Sequence, residues 1–204
     1  MALEQVNLSE AIAAVKSGGV IAFPTDTFYA LGVDAMNESA IKRAFEIKRR
    51  PAATPMPVLV SERSQIDRLS TDFGKPHQIL ARAFWPGALT IVVAAARDVP
   101  AVLTAGLDTV GLRKPNHDIA LGLISGAGIG LTGTSANISG EQPSKDWRVV
   151  VDAMGNELDA IVLGECGEES AASTVVQVVD RSVRVLREGP ISQLEIETAL
   201  KAHA

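Results

Sequence analysis

One cysteine, Cys166, stands in the 204 residues, so no internal disulfide can form and a reducing compartment is expected. Histidine is nearly as scarce. His77, His117 and His203 lie far apart and no HxxxH or CxxC spacing occurs, which leaves a zinc site with little support. No apolar run is long enough to span a bilayer. The first residues, MALEQVNLSEAIAAVKSGG, carry acids and a helical pattern in place of the basic start and apolar block of a signal peptide. A cytoplasmic protein with no membrane partner is expected. Positive charge is in the minority, with 19 Lys and Arg against 24 Asp and Glu and a net charge of −5. That balance argues against tight non-specific nucleic-acid binding through a basic face. An anionic ligand must therefore meet a local cluster of cations.

The common catalytic signatures are missing too. No GxxxxGK[ST] occurs, and GLISGAGIG (122–130) lacks the βαβ context and acidic residue of a dinucleotide fingerprint, so it reads as a helix end and a turn. TGTSANISG is no nucleophile elbow, because G-x-S-x-G is absent. Cys166 sits in the acidic loop GECGEES, where carboxylates disfavour a thiolate. No side chain is assigned as a catalytic nucleophile or base.

A hydrophobic fraction of 47% with 21% charged residues is globular composition, and the length suits one domain over 1–204. Helices are expected over 8–17, from an Asn37 cap to before Pro51, and near 75–84, 117–124, 145–154 and 191–202. His117 is expected to start its helix, and Trp85 to pack or shape a turn. Strands are expected at VIAF (20–23), MPVLV (56–60), ALTIVVAA (88–95), TVGLR (109–113), GIGLT (128–132), DAIVL (159–163), STVVQVV (173–179) and VRVLR (183–187). The alternation says α/β, with a mixed sheet covered by helices.

Polar clusters sit at the ends of these strands, where α/β folds place ligands. PTDT (24–27) interrupts a buried-looking strand. It reads either as a plain turn or as part of a site. KRR (48–50) reads either as a solvated helix end, its cations complementing the dipole, or as a site held near the sheet edge by the RPxxxP that follows. TGTSANISG packs hydroxyls, backbone N–H groups and glycines into nine residues, as a phosphate or carboxylate cradle would. With GLRKP, ESAASTVV and LREGP, these clusters suggest one shared site.

GGVIAFPTDTFYALGVDA, IKRRPAATPMPVLV, FWPGALTIVV, TVGLRKP, TSANISGEQPS, ESAASTVVQV and VRVLREGPIS, in this order, closely resemble the YrdC/TsaC family of threonylcarbamoyl-AMP synthases, in its short form, over roughly residues 8 to 195. The resemblance implies a twisted α/β sheet with a concave, cationic cavity. It implies a nucleotidyltransferase that makes threonylcarbamoyl-AMP and pyrophosphate from L-threonine, bicarbonate and ATP with Mg2+. Downstream threonylcarbamoyl-transferase proteins would use the product to modify tRNA. Carried over motif by motif, Thr27, Arg113 and Ser173 would contact threonine. Lys48, Arg50, Ser135, Asn137, Ser144 and Arg187 would contact the nucleotide. Many members have Gly at the position of Ala30, and Lys or Asn at that of Thr54. YciO-like members keep the fold without an assured synthase role, so a non-synthase protein with weak RNA contact stays open beside the enzyme.

Overall fold

The computed structural model describes residues 4–51, 53–169, 171–179 and 182–202. His203 lies outside them, as do Ala52 and Ser170 of two of the quoted motifs. The chain opens with a strand that the helical reading of the N-terminus overlooked, β1 (Glu4–Val6), and α1 (Leu8–Lys16) begins only after Asn7. Asn7 Oδ1 accepts from the Glu10 amide while the Glu10 carboxylate accepts from the Asn7 amide, a reciprocal cap that sets the helix start.

In chain order follow β2 (Ile21–Phe23), β3 (Ala30–Gly32), α2 (Glu38–Ile47), β4 (Val58–Leu59), α3 (Arg63–Leu69), β5 (Ser70–Asp72), α4 (Lys75–Phe84) and β6 (Leu89–Ala95). Then come α5 (Ala101–Thr104), β7 (Thr109–Arg113), α6 (Asp118–Ala127), β8 (Leu131–Thr132), β9 (Thr134–Ser135), α7 (Trp147–Met154), β10 (Ala160–Val162), β11 (Thr174–Val179), β12 (Ser182–Arg187) and α8 (Gln193–Lys201). The expected helices and strands are all present, to within a few residues at their ends. Those the sequence reading did not include, β1, β3, α3, β5, α5 and β9, have seven residues or fewer, too short to display a period. Among the described residues no helix is long and apolar enough to cross a membrane.

Two mixed sheets form where one was expected. The first runs β1-β10-β2-β3-β9, and the second β12-β11-β6-β7-β4-β8, with β5 pairing β6. The division follows from the PTDT turn, which sends the chain back so that β3 pairs antiparallel with β2 and then takes β9. Alternation along β2 separates two cores: Ala22 faces the space shared with Val58, Ile91, Leu112 and Val176 of the second sheet, while Ile21 and Phe23 face α1 and α6. A Cβ at Gly126 would press on the Ile12 side chain. Gly122, opposite Leu8, and Gly126 thus let α6 lie close against α1. Thr132 of β8 joins the two sheets, its hydroxyl accepting from Val33 N and donating to Leu31 O while Leu131 pairs with Leu59.

Candidate active site

A cavity opens where the strand ends of the two sheets meet. Thr25 and Thr27 line it from the β2–β3 turn, Ala30 from the start of β3, Arg50 from beyond α2, and Pro57 and Leu59 from just before and within β4. Thr90 and Arg113 come from β6 and β7, Gly133 to Ser135 from β8–β9, and Ser173 and Arg187 from the ends of β11 and β12. Six of the nine residues named from the sequence, Thr27, Arg50, Arg113, Ser135, Ser173 and Arg187, are therefore brought to the lining of one cavity.

The PTDT turn is held by its own hydroxyls. Thr25 Oγ1 donates to Phe28 O at 2.7 Å, which leaves it to accept from Thr27 Oγ1 at 3.1 Å. Arg113 Nη1 stands 3.4 Å from Thr27 Oγ1, so a chain of donors runs from guanidinium to main-chain carbonyl. Asp26 turns to Arg113 instead, with Oδ1 2.6 Å from Nη2 in a pair whose side chains are both 7% exposed. Opposite, Arg187 donates to Ser173 O through Nε and Nη2 and to Ser173 Oγ at 3.1 Å, and Ser173 Oγ lies 2.8 Å from Thr90 Oγ1.

Arg50 reaches the cavity because the chain reverses just before it. Arg49 adopts φ 49°, the left-handed conformation usual after a helix end, so Lys48 and Arg50 point to opposite sides. The turn precedes Pro51, rather than being made by the prolines as RPxxxP suggested. Arg50 donates to Pro55 O at 3.0 Å and Thr54 O at 3.3 Å, bonds that any side chain at 54 would leave available. Burial, then the charge of Arg187, lower the pKa of Arg50; burial, then Arg113, lower that of Arg187. The guanidiniums are thus close enough to oppose one another.

Three of the named residues do not line the cavity. Lys48 is 1% exposed and its Nζ donates to the carbonyls of Ser135 and Asn137, bracing the TSAN loop from behind. Burial, then the charge of Arg50, pull its pKa down to about 7. Asn137 spends its side chain within that loop, accepting from Ser135 Oγ and donating to Ile138 O and Glu141 O. Ser144 Oγ accepts from Asp146 N, and its carbonyl accepts from Tyr29 N. Thr25, Asp26 and Thr90 were not singled out from the sequence, although all three stood in quoted motifs; Thr90, in FWPGALTIVV, looked like strand interior.

The remaining polar groups are structural. His117 is the residue just before α6, and its Nε2 lies 2.8 Å from Glu165 O without bonding the helix end; Trp85 Nε1 donates to Leu89 O while its ring stacks on Phe73. Burial pushes the Cys166 thiol up, away from thiolate reactivity. Ala30 lies in β3 with extended backbone; among the described residues the non-glycine positions at positive φ are Arg49 and Ala105, so glycine is not required there.

A family model for Sua5, YciO and YrdC proteins, described as telomere recombination, matches residues 13–189. The threonylcarbamoyl-AMP synthase of Pyrococcus abyssi is 36% identical over 199 residues, 97% of this chain but 58% of that protein, so the chain spans little more than half the relative's length. The crystal structure of P. abyssi Sua5 complexed with L-threonine superposes with a TM-score of 0.89 at 34% identity, covering 97% of this chain and 59% of that one. E. coli YciO gives a TM-score of 0.80 at 26% identity, over 91% of this chain and 90% of its own.

Proposed function

The chain belongs to the Sua5/YciO/YrdC family, and on that premise we propose that it is a nucleotidyltransferase making threonylcarbamoyl-AMP and pyrophosphate from L-threonine, bicarbonate and ATP. The observation that carries the reading is the pairing, in one cavity, of a buried arginine flanked by hydroxyls with two further arginines that have no carboxylate partner among the described residues. An amino acid suits the first end. A polyphosphate suits the second.

Arg113 takes the threonine carboxylate, with Thr27 and Ser173 offering hydroxyls nearby. The amine, having lost a proton, bonds to the bicarbonate carbon; a C–O bond of the bicarbonate breaks, its oxygen leaves as water, and a carbamate remains. A carbamate oxygen then attacks the α-phosphorus of ATP in line as the bond to the pyrophosphate oxygen breaks. Arg50 and Arg187 stabilise charge on the phosphates, and Ser135 contacts the nucleotide from a loop that Lys48 and Asn137 hold in place. Such a reaction calls on the protein for orientation and charge more than for covalent chemistry. The lining groups are guanidiniums, hydroxyls and apolar side chains, with no carboxylate among them, which does not fit a metal held by the protein. The Mg2+ we propose is therefore the one carried by the ATP phosphates.

A cytoplasmic location and transfer of the product to threonylcarbamoyl-transferase proteins complete the proposal. The test is threonine-dependent pyrophosphate release with ATP, Mg2+ and bicarbonate. Release no greater than with ATP alone would overturn it and leave a YciO-like binding role.

A further inference from the structure

Asp26 stands between two threonines that line the cavity, yet it is not itself a lining residue. Its Oδ1 accepts from Arg113 Nη2 at 2.6 Å, and Gly87 O accepts from Arg113 Nε at 3.0 Å. Nε and Nη2 form the side-on edge of the guanidinium, so that edge is taken. The end-on edge keeps the second hydrogen of Nη2 together with Nη1, which also stands 3.4 Å from Thr27 Oγ1, so a ligand there shares Nη1 with that hydroxyl.

The other Asp26 oxygen, Oδ2, is buried with no hydrogen-bond partner. A water-excluded carboxylate oxygen without a donor is costly, and in a native structure such a group calls for an explanation. The turn that carries it is clamped as well. Gly167 N donates to Thr25 O, and a Cβ on Gly167 would lie 2.7 Å from Asp26 O and 2.8 Å from its Cα.

We propose that Asp26 is a positioning residue that divides the cavity into two anion sites: it holds Arg113 by its side-on edge and neutralises it, so this end accepts a planar carboxylate and rejects phosphate. Among the described residues neither Arg50 nor Arg187 has a carboxylate partner, and they keep their full charge for polyphosphate. At Arg113 recognition then rests on the geometry of two parallel N–H bonds, because the bare charge is already balanced. The inference rests on the synthase reading for the identity of the carboxylate ligand.

The experiment is threonine binding by calorimetry on wild type and Asp26→Asn, each with and without tripolyphosphate. Wild type should bind threonine whether or not tripolyphosphate is present. Asp26→Asn should bind threonine roughly tenfold more weakly, as expected when one charge-assisted bond is misplaced, and tripolyphosphate should now displace it. Unchanged threonine affinity in a folded Asp26→Asn overturns the proposal. So does weakened affinity that tripolyphosphate leaves untouched, which marks a turn that has only loosened. If circular dichroism shows Asp26→Asn unfolded, Asp26→Ser decides: it also removes the charge, so threonine should weaken and tripolyphosphate should displace it, and wild-type affinity or weakening without displacement overturns the proposal. A wild type that binds no threonine overturns the synthase reading together with this role, whereas a binding wild type matched by its variants overturns the role alone.

Discussion

Lys48 Nζ donates to the main-chain carbonyls of Ser135 and Asn137, two residues of a loop 87 or more positions further along the chain. The ammonium is enclosed by protein, and burial, then the charge of Arg50, bring its pKa down to about 7. A neutral amine still has two N–H donors for two carbonyls, so the brace survives loss of the proton.

Stability should therefore depend on pH through this lysine. The unfolded chain keeps the proton to about 10.5 while the folded protein releases it near 7, so between those values the unfolded state binds more protons and stability rises with pH. The unfolding free energy of wild type relative to Lys48→Met should increase by about 2 kcal/mol from pH 7 to pH 9, a change that urea titrations at the two pH values would measure. A difference that is flat with pH would place the titration elsewhere.

Arg50→Ala should cripple turnover and leave the fold intact. Loss of a charge-assisted phosphate contact should cost about 2–4 kcal/mol of transition-state stabilisation, read from kcat/KM for ATP. Turnover equal to wild type at saturating ATP would reduce Arg50 to a tie for the Thr54–Pro55 turn.

Arg113→Lys keeps the positive charge and loses the planar fork, so its effect should fall on threonine. Losing one charge-assisted bond of about 1.5–3 kcal/mol predicts an apparent threonine KM raised roughly ten- to a hundredfold, with the ATP constant little changed. Paired titrations of each substrate at fixed concentration of the other would show it. A shift confined to ATP would reverse the two ends of the cavity.

Gly189→Ala places a Cβ against Thr174 N, 2.5 Å from Ala172 O and 2.7 Å from Ser173 C. These are main-chain atoms, so the strand start must move and draw Ser173 away from Arg187. A loss of about 1–3 kcal/mol in unfolding free energy is expected, together with weaker threonine binding. A variant with wild-type stability and affinity would mean that this crossing relaxes freely.

The long elements were legible because each displays a period: α4 appears over Lys75–Phe84 as read, and Asn37 caps α2 with its side chain accepting from Ala40 N. The short strand β3 was not. Three buried residues, Ala30 to Gly32, show neither alternation nor length, and only pairing with β2 and β9 makes them a strand. The same limit applied to Thr90, whose neighbours in β6 are as buried as it is, so nothing local marks its hydroxyl as facing a cavity.

By itself the sequence determined the chemistry available: arginines and small hydroxyls at strand ends, one inert cysteine, no metal-ligand spacing and an ordered set of family motifs, all of which are properties of residue type and local spacing. Only the tertiary structure decided how that chemistry is divided. Lys48 and Arg50 are two residues apart and indistinguishable as cations, yet the left-handed turn at Arg49 buries one behind the TSAN loop and sends the other to the cavity. Asp26 and Arg113 are 87 positions apart, and their pairing exists because β2 and β7, in different sheets, end at the same place. Local sequence specifies which groups a turn carries; which of them meet depends on packing between segments that are distant along the chain.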